Sequence, residues 1–440
     1  MPTTNNKTTV KGDPQTQTVA NGITGCRVCH SQALTNVLSL GNQYVSDFVD
    51  DNSEKNSRTP LELVLCDAGQ GGCGLLQLRH TTEQQSLYRN YWYRSGINQT
   101  MRDALAHVVK SATNLVHLNK GDTVLDIGSN DNTLLKAYNR HDMSRIGFEP
   151  ATNLMPYAQH PDIRVINDFF AAEPFQKASQ GQKARIITSI AMFYDLEDPN
   201  RFTADIATSL ADDGLWIIQM AYLPTMLLDN IFDNICHEHL EYYSLLSLEN
   251  LLARHNLKVI DVELNDVNGG SYRIYITHTH NDLLQPPPGA DKRIATLRDQ
   301  EKQLQLDTVT PYKDFAERVG GIKEKVVNFI HEAVKAGKQV YVYGASTKGN
   351  TLLQYFNLDH THITAAAERN PDKWGKKTVG THIPIISEEE ARAAQPDYFL
   401  VLPWHFMPEF IKREQAYLQA GGHFIAPLPE FKVIGKETGK

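Results

Sequence analysis

Val124-Leu-Asp-Ile-Gly-Ser-Asn-Asp-Asn-Thr-Leu-Leu135 is the stretch that decides the fold. Its first four residues have the apolar character of a short buried strand, the next four form a tight turn, and a helix begins near Thr133. Gly128 allows the backbone to pass close to a ligand because it has no Cβ. Asp126 lies at the carboxyl end of the strand, where open α/β sheets bind ligands. The pattern predicts a ligand-binding strand–turn–helix unit, although it lacks the G-x-G-x-x-G dinucleotide fingerprint.

Four later segments continue this alternation of strand and helix and predict a doubly wound sheet. Glu149 follows the glycine turn by about twenty residues, where nucleotide-binding folds place a carboxylate for ribose hydroxyls. Asn167 and Asp168 end the next strand and suit an adenine edge, and Ala191 follows the strand after that. The motif D-I-G-S-N-D-N resembles the first motif of class I methyltransferases, which bind S-adenosylmethionine (SAM). The predicted cofactor-binding residues are Asp126, Gly128, Ser129, Asn130, Glu149, Asn167, Asp168 and Ala191.

The bulk properties of the chain narrow the class of protein. Its 440 residues exceed one ordinary domain, so we expect two or three. The net charge of −8 argues against a nucleic-acid partner, which usually needs a basic face. No apolar run is long enough for a membrane segment, and few cysteines favour a reducing cytoplasm. Residues 1–21 are rich in polar residues and are predicted to form a disordered tail.

Four of the five cysteines fall close together near the amino terminus. Cys26 and Cys29 form a C-x-x-C knuckle, and Cys66 and Cys73 form a looser pair among glycines that permit sharp turns. Four converging thiolates suit tetrahedral Zn²⁺, and a site with four protein ligands is closed and structural. Free thiols or redox pairs are the alternatives, and His30 is a competing ligand. The sequence therefore predicts a structural zinc site.

A histidine- and carboxylate-rich segment is the best candidate for catalysis. His237, Glu238 and His239 are consecutive, and adjacent residues of an extended chain point apart, which disfavours a shared metal. A histidine beside a carboxylate is instead a good general base, although buried polar packing would give the same pattern. Upstream, Tyr91 and Tyr93 lie in an aromatic segment that suits either a core or a pocket whose phenols donate to a substrate oxygen.

The carboxy-terminal third repeats the strand–turn–helix pattern after a stiff Pro286-Pro-Pro-Gly289 boundary. Small and hydroxyl residues beside Lys348 at a helix start predict an anion cradle that would suit a diphosphate. Trp404 and His405 end a later strand and could stack on a base. The predicted substrate-binding residues are Arg273, Ser346, Thr347, Lys348, Asn350, Glu368, Arg369, Asn370, Lys373, Trp404 and His405.

Taken in order, these motifs resemble the SAM-dependent C-methyltransferases of nucleotide-linked 4-keto-deoxysugars. The shared motifs run from C-x-x-C through Y-W-Y-R-S-G, L-D-I-G-S-N-D, H-E-H-L-E-Y-Y-S, N-G-G-S-Y-R, Y-G-A-S-T-K-G-N and E-R-N-P-D-K to L-P-W-H-F. The resemblance implies a zinc-binding domain (22–85), a Rossmann-like methyltransferase domain (86–284) and a second Rossmann-like domain (285–440) that helps to hold the nucleotide sugar.

The resemblance also implies residue roles. His239 is the expected base, with Glu238, His237 and Tyr91 or Tyr93 nearby, and it would act on C3 of a dTDP- or GDP-linked 4-keto sugar. The family often has tyrosine immediately before H-E-H, whereas this chain has Cys236. We expect a monomer. The competing hypotheses are an O- or N-methyltransferase of another metabolite and a catalytically silent nucleotide-sugar-binding protein.

Overall fold

A computed structural model describes residues 22–50 and 58–436, so the tail predicted over 1–21 lies outside the described residues. The amino-terminal part carries the cysteines and a small antiparallel sheet. Its elements are β1 (Leu34–Tyr44), β2 (Phe48–Val49), β3 (Arg58–Cys66), β4 (Leu76–Leu78) and α1 (Gln84–Tyr88). Strands β1, β3 and β4 are neighbours in this order, and a fourth strand of the sheet comes from the next part of the chain.

The central part is a seven-stranded sheet with helices on both sides. Its elements are α2 (Gln99–Leu115), β5 (Thr123–Ile127), α3 (Thr133–Lys136), β6 (Ser144–Phe148), α4 (Met155–Ala158), β7 (Ile163–Ile166), α5 (Ala172–Ala178), β8 (Ala184–Ile190), α6 (Pro199–Ser209), β9 (Leu210–Ala221), α7 (Leu223–Leu228), β10 (Glu241–Tyr242), α8 (Leu245–Ala253), β11 (Leu257–Asn265) and β12 (Ser271–His278). The strand order is β11-β12-β9-β8-β5-β6-β7, and β12 runs in the direction opposite to the other six strands.

This sheet confirms the Rossmann-like fold predicted from the glycine-turn motif. All five residues of β5 are buried, as expected for a central strand that is covered on both faces. Gly128 follows with a φ of 71°, which glycine adopts without strain and which starts the turn into α3. The carboxyl ends of β5, β6 and β8 therefore meet at one edge of the sheet.

The carboxy-terminal part is a second Rossmann-like unit, as predicted. Its elements are α9 (Ala290–Gln303), α10 (Thr310–Lys335), β13 (Val340–Tyr343), α11 (Thr347–Phe356), β14 (Ala366–Glu368), β15 (Lys377–Thr378), β16 (Ile385–Ser387), α12 (Glu388–Ala394), β17 (Tyr398–Val401), α13 (Met407–Arg413), α14 (Gln415–Gln419), β18 (His423–Ala426) and β19 (Lys432–Ile434). The sheet order is β16-β14-β13-β17-β18-β19, with only β19 antiparallel. None of the helices within 22–50 and 58–436 combines the length and apolarity that a bilayer crossing requires.

Helix α10 joins the amino-terminal and carboxy-terminal parts through one apolar cluster. Its buried residues recur every three or four positions, from Tyr312 and Phe315 to Val326 and Ile330, so they share one face. They pack in the same cluster as Leu61 and as residues of the carboxy-terminal sheet. The hydrophobic effect therefore holds these parts of the chain in a fixed arrangement.

The segment that follows His239 is built into the amino-terminal sheet. Strand β10 pairs antiparallel with β4, with Glu241 opposite Gln77, and the Leu78 N–H donates to the carbonyl of Leu240 at 2.8 Å. This pairing fixes the segment in register because each backbone hydrogen bond specifies one partner residue.

Arg27, inside the C-x-x-C knuckle, reinforces that pairing. Its guanidinium donates to the Leu78 carbonyl at 2.6 Å and to the Thr81 hydroxyl at 2.8 Å. The same group lies 3.6 Å from the carboxylate of Glu241, and both side chains are almost completely buried. Burial raises the pKa of Glu241, and the charge of Arg27 opposes that rise. The cysteine knuckle is thereby linked to the segment beside His239.

Substitution Phe315→Ala should lower the free energy of unfolding by about 3–5 kcal/mol, because it leaves a cavity in the cluster that joins two parts of the chain. Chemical denaturation followed by tryptophan fluorescence measures the change. Glu317→Ala, an exposed position on the same helix, is the control and should change stability by less than about 0.5 kcal/mol. Equal stability of the two variants would contradict the role assigned to this face of α10.

Substitution Arg27→Met should lower the free energy of unfolding by about 3–5 kcal/mol, because it leaves the Glu241 carboxyl buried without its cation. Glu241→Gln should cost less, since the neutral amide is cheaper to bury than a lone carboxylate. Urea midpoints of both variants test this ordering. A larger loss for Glu241→Gln than for Arg27→Met would show that the ion pair does not stabilise the segment.

Candidate functional site

One cavity of about 770 Å³ opens between the central and carboxy-terminal sheets. Its wall combines the tyrosine-rich segment after α1, the carboxyl ends of β5, β6 and β8, the segment around His239, and the turn before α11. A cavity of this size accommodates one or two small-molecule ligands. Its position at the ends of parallel strands of two sheets is where such folds bind nucleotides.

His239 lies in the cavity wall with a defined protonation state. Its Nδ1 is 2.8 Å from the carbonyl oxygen of Asn234, and a carbonyl can only accept, so Nδ1 carries the proton. Nε2 therefore holds the free lone pair. Burial, together with the charge of Lys348, lowers the pKa of His239 to about 3. The ring of Tyr194 packs edge-on against the imidazole at 4.4 Å between centroids. The result is a neutral, oriented imidazole that can accept a proton.

Glu238 and Cys236 lie beside this imidazole. The Cys236 thiol donates to the Glu238 carboxylate at 3.5 Å, and one ligand-type atom from each of Cys236, Glu238 and His239 lies within 4.8 Å of the others. Burial raises the pKa of Glu238 and of the Cys236 thiol. Glu238 lines the cavity, so the prediction that it accompanies His239 agrees with its position.

His237 does not reach the cavity. Its Nε2 lies 3.0 Å from the carbonyl oxygen of Thr59 in the amino-terminal sheet. The chain turns between Cys236 and His239, where the His239 N–H donates to the Cys236 carbonyl at 3.1 Å, so His237 and His239 point in different directions. The structure places His237 against β3 and outside the cavity that Glu238 and His239 line, and its catalytic role stays a prediction.

Several tyrosines also line the cavity. Tyr91 and Tyr93 both line it, as does Tyr88, whose hydroxyl donates to the Glu238 carbonyl at 3.0 Å. Burial raises the pKa of Tyr91 well above its usual value, with the charge of Glu238 adding to the rise. Tyr91 therefore keeps its proton and can donate a hydrogen bond. Tyr93 is 44% exposed and lies nearer to solvent.

The opposite end of the cavity is lined by the residues of the glycine turn. The Glu149 carboxylate accepts from the backbone N–H groups of Asn130 at 2.7 Å and Ala151 at 2.8 Å, which fixes it at the end of β6. Asp126 accepts from the Thr188 hydroxyl at 2.6 Å, and burial raises its pKa to about 7. The Ser129 hydroxyl is buried without a hydrogen-bond partner among the described residues. This end offers carboxylates and a hydroxyl to a ligand.

Most of the other predicted cofactor residues line this end too. Gly128, Ser129, Asn130, Asp168 and Ala191 all do so. Ala191 has a φ of 54°, a strained value for a residue with a Cβ, and its N–H donates to the Gln219 carbonyl at 2.7 Å. Asn167 is the exception, since its amide donates to the Glu149 carbonyl at 2.8 Å and the residue lies outside the wall.

The carboxy-terminal unit contributes Ser346, Thr347, Lys348 and His405. The Ser346 hydroxyl accepts from the Gly349 N–H at 3.0 Å and caps α11. Lys348 donates to the side-chain oxygen of Asn234 and thus connects α11 to the segment that carries His239. Burial and the charge of Lys348 lower the pKa of His405 to about 4.

Seven predicted substrate-binding residues lie outside the cavity wall. They are Arg273, Asn350, Glu368, Arg369, Asn370, Lys373 and Trp404. Arg273 is buried against α2, where it contacts His107 and donates to Gln219 at 2.9 Å. These contacts explain why Arg273 cannot serve the cavity.

The other six are held by the carboxy-terminal unit itself or by its neighbours. Asn350 donates to the Asp47 carbonyl at 2.9 Å, and Lys373 donates to the Ala345 carbonyl at 2.8 Å. The Glu368 carboxylate accepts from the backbone of Arg369 and Asn370. The Trp404 indole donates to Asp233 at 3.1 Å. These polar groups are therefore bonded to other protein groups, and Lys373 in particular holds the backbone next to Ser346.

Several lining residues escaped the sequence analysis. Tyr194 and Asp195 follow β8, Asp233 precedes the histidine segment, and Gln219 lies two residues before the end of β9. Their common signal is their position just after a strand of a parallel sheet or next to a catalytic segment. A search of strand ends for acids would have found Asp195.

The four clustered cysteines converge as predicted. Their sulfurs lie within 4.8 Å of one another, with Cys26 and Cys73 at 3.6 Å and Cys29 and Cys66 at 3.4 Å, and none forms a disulfide. Tetrahedral zinc with Zn–S bonds of about 2.3 Å separates its sulfurs by about 3.8 Å, so four thiolates fit this arrangement. Such a site is closed and holds the fold together. His30 is outside the group of convergent ligands, which excludes it as the fourth ligand here.

Substitution Cys66→Ser should remove the bound zinc and lower the thermal midpoint, because three thiolates and a hydroxyl bind the ion far less tightly. Metal analysis of the purified protein is the measurement. Cys236→Ser is the matched control, because its thiol lies outside this cluster, and it should retain about one zinc per chain. Full zinc content in the Cys66 variant would show that the cluster does not hold the metal.

Comparison with known proteins gives three family matches that together cover most of the chain. The family model described as "C-methyltransferase C-terminal domain" matches residues 266–429, and "Methyltransferase domain" matches residues 93–262. The model described as "Putative zinc binding domain" matches residues 26–88, which contain all four clustered cysteines. The chain is also 31% identical over 426 residues to C-methyltransferase NovU of Streptomyces niveus, which covers 96% of this chain and 99% of that protein.

Solved structures are more distant. Magnesium protoporphyrin IX methyltransferase of Synechocystis PCC 6803 with bound SAH is 13% identical with a TM-score of 0.31, over 41% of this chain and 83% of that one. A SAM-dependent methyltransferase of Mesorhizobium loti is 11% identical with a TM-score of 0.31, over 40% of this chain and 99% of that one. The family models and the full-length relative lead to one conclusion: this chain is a zinc-binding, SAM-dependent enzyme of the C-methyltransferase family.

Proposed function

We propose that the protein transfers a methyl group from SAM to C3 of a nucleotide-linked 4-keto-deoxyhexose. The observation that carries the proposal is the neutral imidazole of His239, whose Nδ1 is committed to the Asn234 carbonyl and whose Nε2 is free to take a proton. Methylation of carbon needs such a base, because a C–H bond beside a ketone must be broken before the carbon can act as a nucleophile.

His239 would remove the proton at C3, and the sugar would become an enolate. The carbonyl of Asn234 supports this step, since it stabilises the imidazolium that forms through the bond to Nδ1. The charge that develops on the C4 oxygen needs donors that are already in place. Tyr91 is suited to this role, because burial keeps its hydroxyl protonated at the same end of the cavity.

SAM supplies an electrophilic methyl group on a sulfonium centre. The glycine-turn end of the cavity fits this cation, because its wall contains Asp126, Glu149 and Asp168. We assign the ribose hydroxyls to Glu149, and the Ser129 hydroxyl, buried without a partner among the described residues, is available to a polar atom of the cofactor. The chain's contribution is to orient the cofactor and to exclude water from the methyl group.

The carboxy-terminal end of the cavity is assigned to the nucleotide part of the substrate, which is dTDP or GDP. Lys348 provides a positive charge there, and it lies in the first turn of α11, where backbone N–H groups also attract anions. Ser346, Thr347 and His405 add polar contacts beside it. The sugar would then lie between Lys348 and the glycine turn, against His239.

Cys236 gives this chain a feature of its own next to the base. Its thiol bonds to Glu238, where the resemblance leads one to expect a tyrosine hydroxyl. A thiol is smaller and a weaker donor than a phenol. We therefore propose that Cys236 leaves more room beside C3 and shapes the choice of sugar.

The division into three domains at residues 22–85, 86–284 and 285–440 belongs to the same proposal. The zinc-binding domain would act on catalysis only indirectly, because its sheet holds β10 and hence the segment of His239.

Substitution His239→Ala should slow methyl transfer to dTDP-4-keto-6-deoxyglucose by about a hundredfold or more, because it removes the proposed general base. Mass spectrometry of the sugar after incubation with SAM measures methyl transfer. The rate of deuterium incorporation at C3 in D₂O measures removal of the C3 proton alone. SAM affinity by calorimetry should stay within about threefold of the parent, since His239 is not in the glycine-turn end.

His141→Ala, at an exposed histidine with a side chain 84% accessible, is the control and should keep full activity. A His239 variant with parental exchange and transfer would exclude His239 as the base. Turnover of the reduced 4-hydroxy sugar would favour O-methylation, and binding of the nucleotide sugar without any transfer would favour a silent binding protein.

A further inference from the structure

A second acidic side chain lies at the His239 end of the cavity and has no part in the mechanism so far. Asp195 ends the short 3-10 turn Phe193–Asp195 that follows β8, and it lines the cavity together with Glu238. Its Oδ1 atom is buried and has no hydrogen-bond partner among the described residues. A buried carboxyl oxygen without a protein partner, on a residue that lines a ligand cavity, is suited to pair with a polar atom of a ligand.

The charged groups around Asp195 do not favour a second negative charge. The charges of Glu238 and Glu241, in the following segment, raise the pKa of Asp195, and the charge of Lys348, in α11, lowers this pKa. Glu241 is already paired with Arg27, and Lys348 is the cation that acts on both Glu238 and Asp195. Two buried carboxyls that share one cation cannot both ionise readily, and one of them retains a proton.

The uncharged neighbours lead to the same conclusion. Four phenols and a thiol surround this carboxyl: Tyr88, Tyr91, Tyr194, Tyr242 and Cys236. Burial, with the charge of Glu238 adding to it, holds the pKa of Asp195 well above its usual range. The Tyr88 hydroxyl donates its hydrogen to the Glu238 carbonyl at 3.0 Å. A phenol has a single hydrogen, so an ionised Asp195 would compete with Glu238 for it.

We propose that Asp195 is a further catalytic residue, which acts as a neutral carboxylic acid and donates a hydrogen bond to the substrate oxygen that becomes negative when His239 removes the C3 proton. This inference rests on the proposed function. His239 and Asp195 would have complementary tasks: the imidazole accepts the proton from carbon, and the carboxyl stabilises the charge left on oxygen without giving up its proton. A carboxylic acid is a stronger donor than a phenol because its proton is more acidic, and a preorganised donor of this kind lowers the barrier to enolate formation.

The test compares two substitutions of Asp195 that differ only in whether a neutral donor remains. Asp195→Asn keeps a neutral N–H donor at every pH, whereas Asp195→Ala removes the donor. Asp212→Asn, at a surface carboxylate paired with Lys183, is the control for loss of an aspartate. Deuterium exchange at C3 and methyl transfer to dTDP-4-keto-6-deoxyglucose are both measured between pH 6 and 10, with circular dichroism and SAM affinity as checks of folding.

The parent enzyme should lose activity as pH rises through the pKa of the acid, because the donor is lost when the carboxyl ionises. Asp195→Asn should keep activity within about tenfold of the parent at neutral pH and should lack this alkaline decline. Asp195→Ala should reduce kcat by about a hundredfold or more, with KM changed by less than about threefold, because the bond forms mainly in the transition state.

Two results would overturn the role of Asp195. One is an Asp195→Asn variant that is folded, binds SAM and is as inactive as Asp195→Ala at every pH, since the charge would then be required. The other is parental activity in Asp195→Ala. Failure of the parent enzyme to exchange the C3 proton or to methylate the keto sugar is a different result, and it would overturn the proposed function together with this inference.

Discussion

The pairing of β10 with β4 is the constraint on which the cavity depends. Two residues, Glu241 and Tyr242, leave the central unit and complete the amino-terminal sheet, and the first of them is only two positions after His239. Arg27 links the cysteine knuckle to both strands, because it donates to the Leu78 carbonyl in β4 and pairs with the Glu241 carboxyl in β10. The cysteine knuckle is therefore connected to the segment of His239, because Arg27 bonds to the strand to which that segment is attached. The turn from Cys236 to His239 precedes this pairing, and it leaves His237 against the Thr59 carbonyl of β3 while His239 lines the cavity.

Burial determines the protonation of nearly every group at the His239 end. Desolvation disfavours charge, so it lowers the pKa of His239 and raises the pKa values of Glu238, Asp195 and the surrounding tyrosines. An acceptor without a proton then stands beside donors that keep theirs. A reaction that takes a proton from carbon and leaves charge on oxygen needs this combination. The chain obtains it from a shared apolar environment rather than from separate ion pairs for each group.

Local patterns in the sequence predicted the fold well. The alternation of strands and helices and the glycine turn gave both Rossmann-like units, and the cysteine spacing gave the metal cluster, because each depends on short-range rules of backbone and ligand geometry. Residues next to strand ends, such as Glu149 and Lys348, were also found in the cavity wall. Arg273 was misplaced because an arginine after a glycine turn has the same pattern whether it faces a ligand or is buried against a helix. Only the tertiary packing of α2 against β12 decides between these cases.

The charges of the cavity wall give the site a direction. Asp126, Glu149 and Asp168 line the glycine-turn end, whereas Lys348 stands at the start of α11 in the other unit, where it acts on Asp195 and Glu238. In the proposed reaction, the cationic cofactor would bind at the glycine-turn end and the anionic nucleotide beside Lys348, with the sugar near His239. Because the apolar face of α10 fixes the amino-terminal part against the carboxy-terminal unit, this orientation does not depend on the ligands to assemble it. Each ligand can bind in an arrangement that is already formed, so that less of its binding free energy is used to order the protein and more is available to align the reacting atoms.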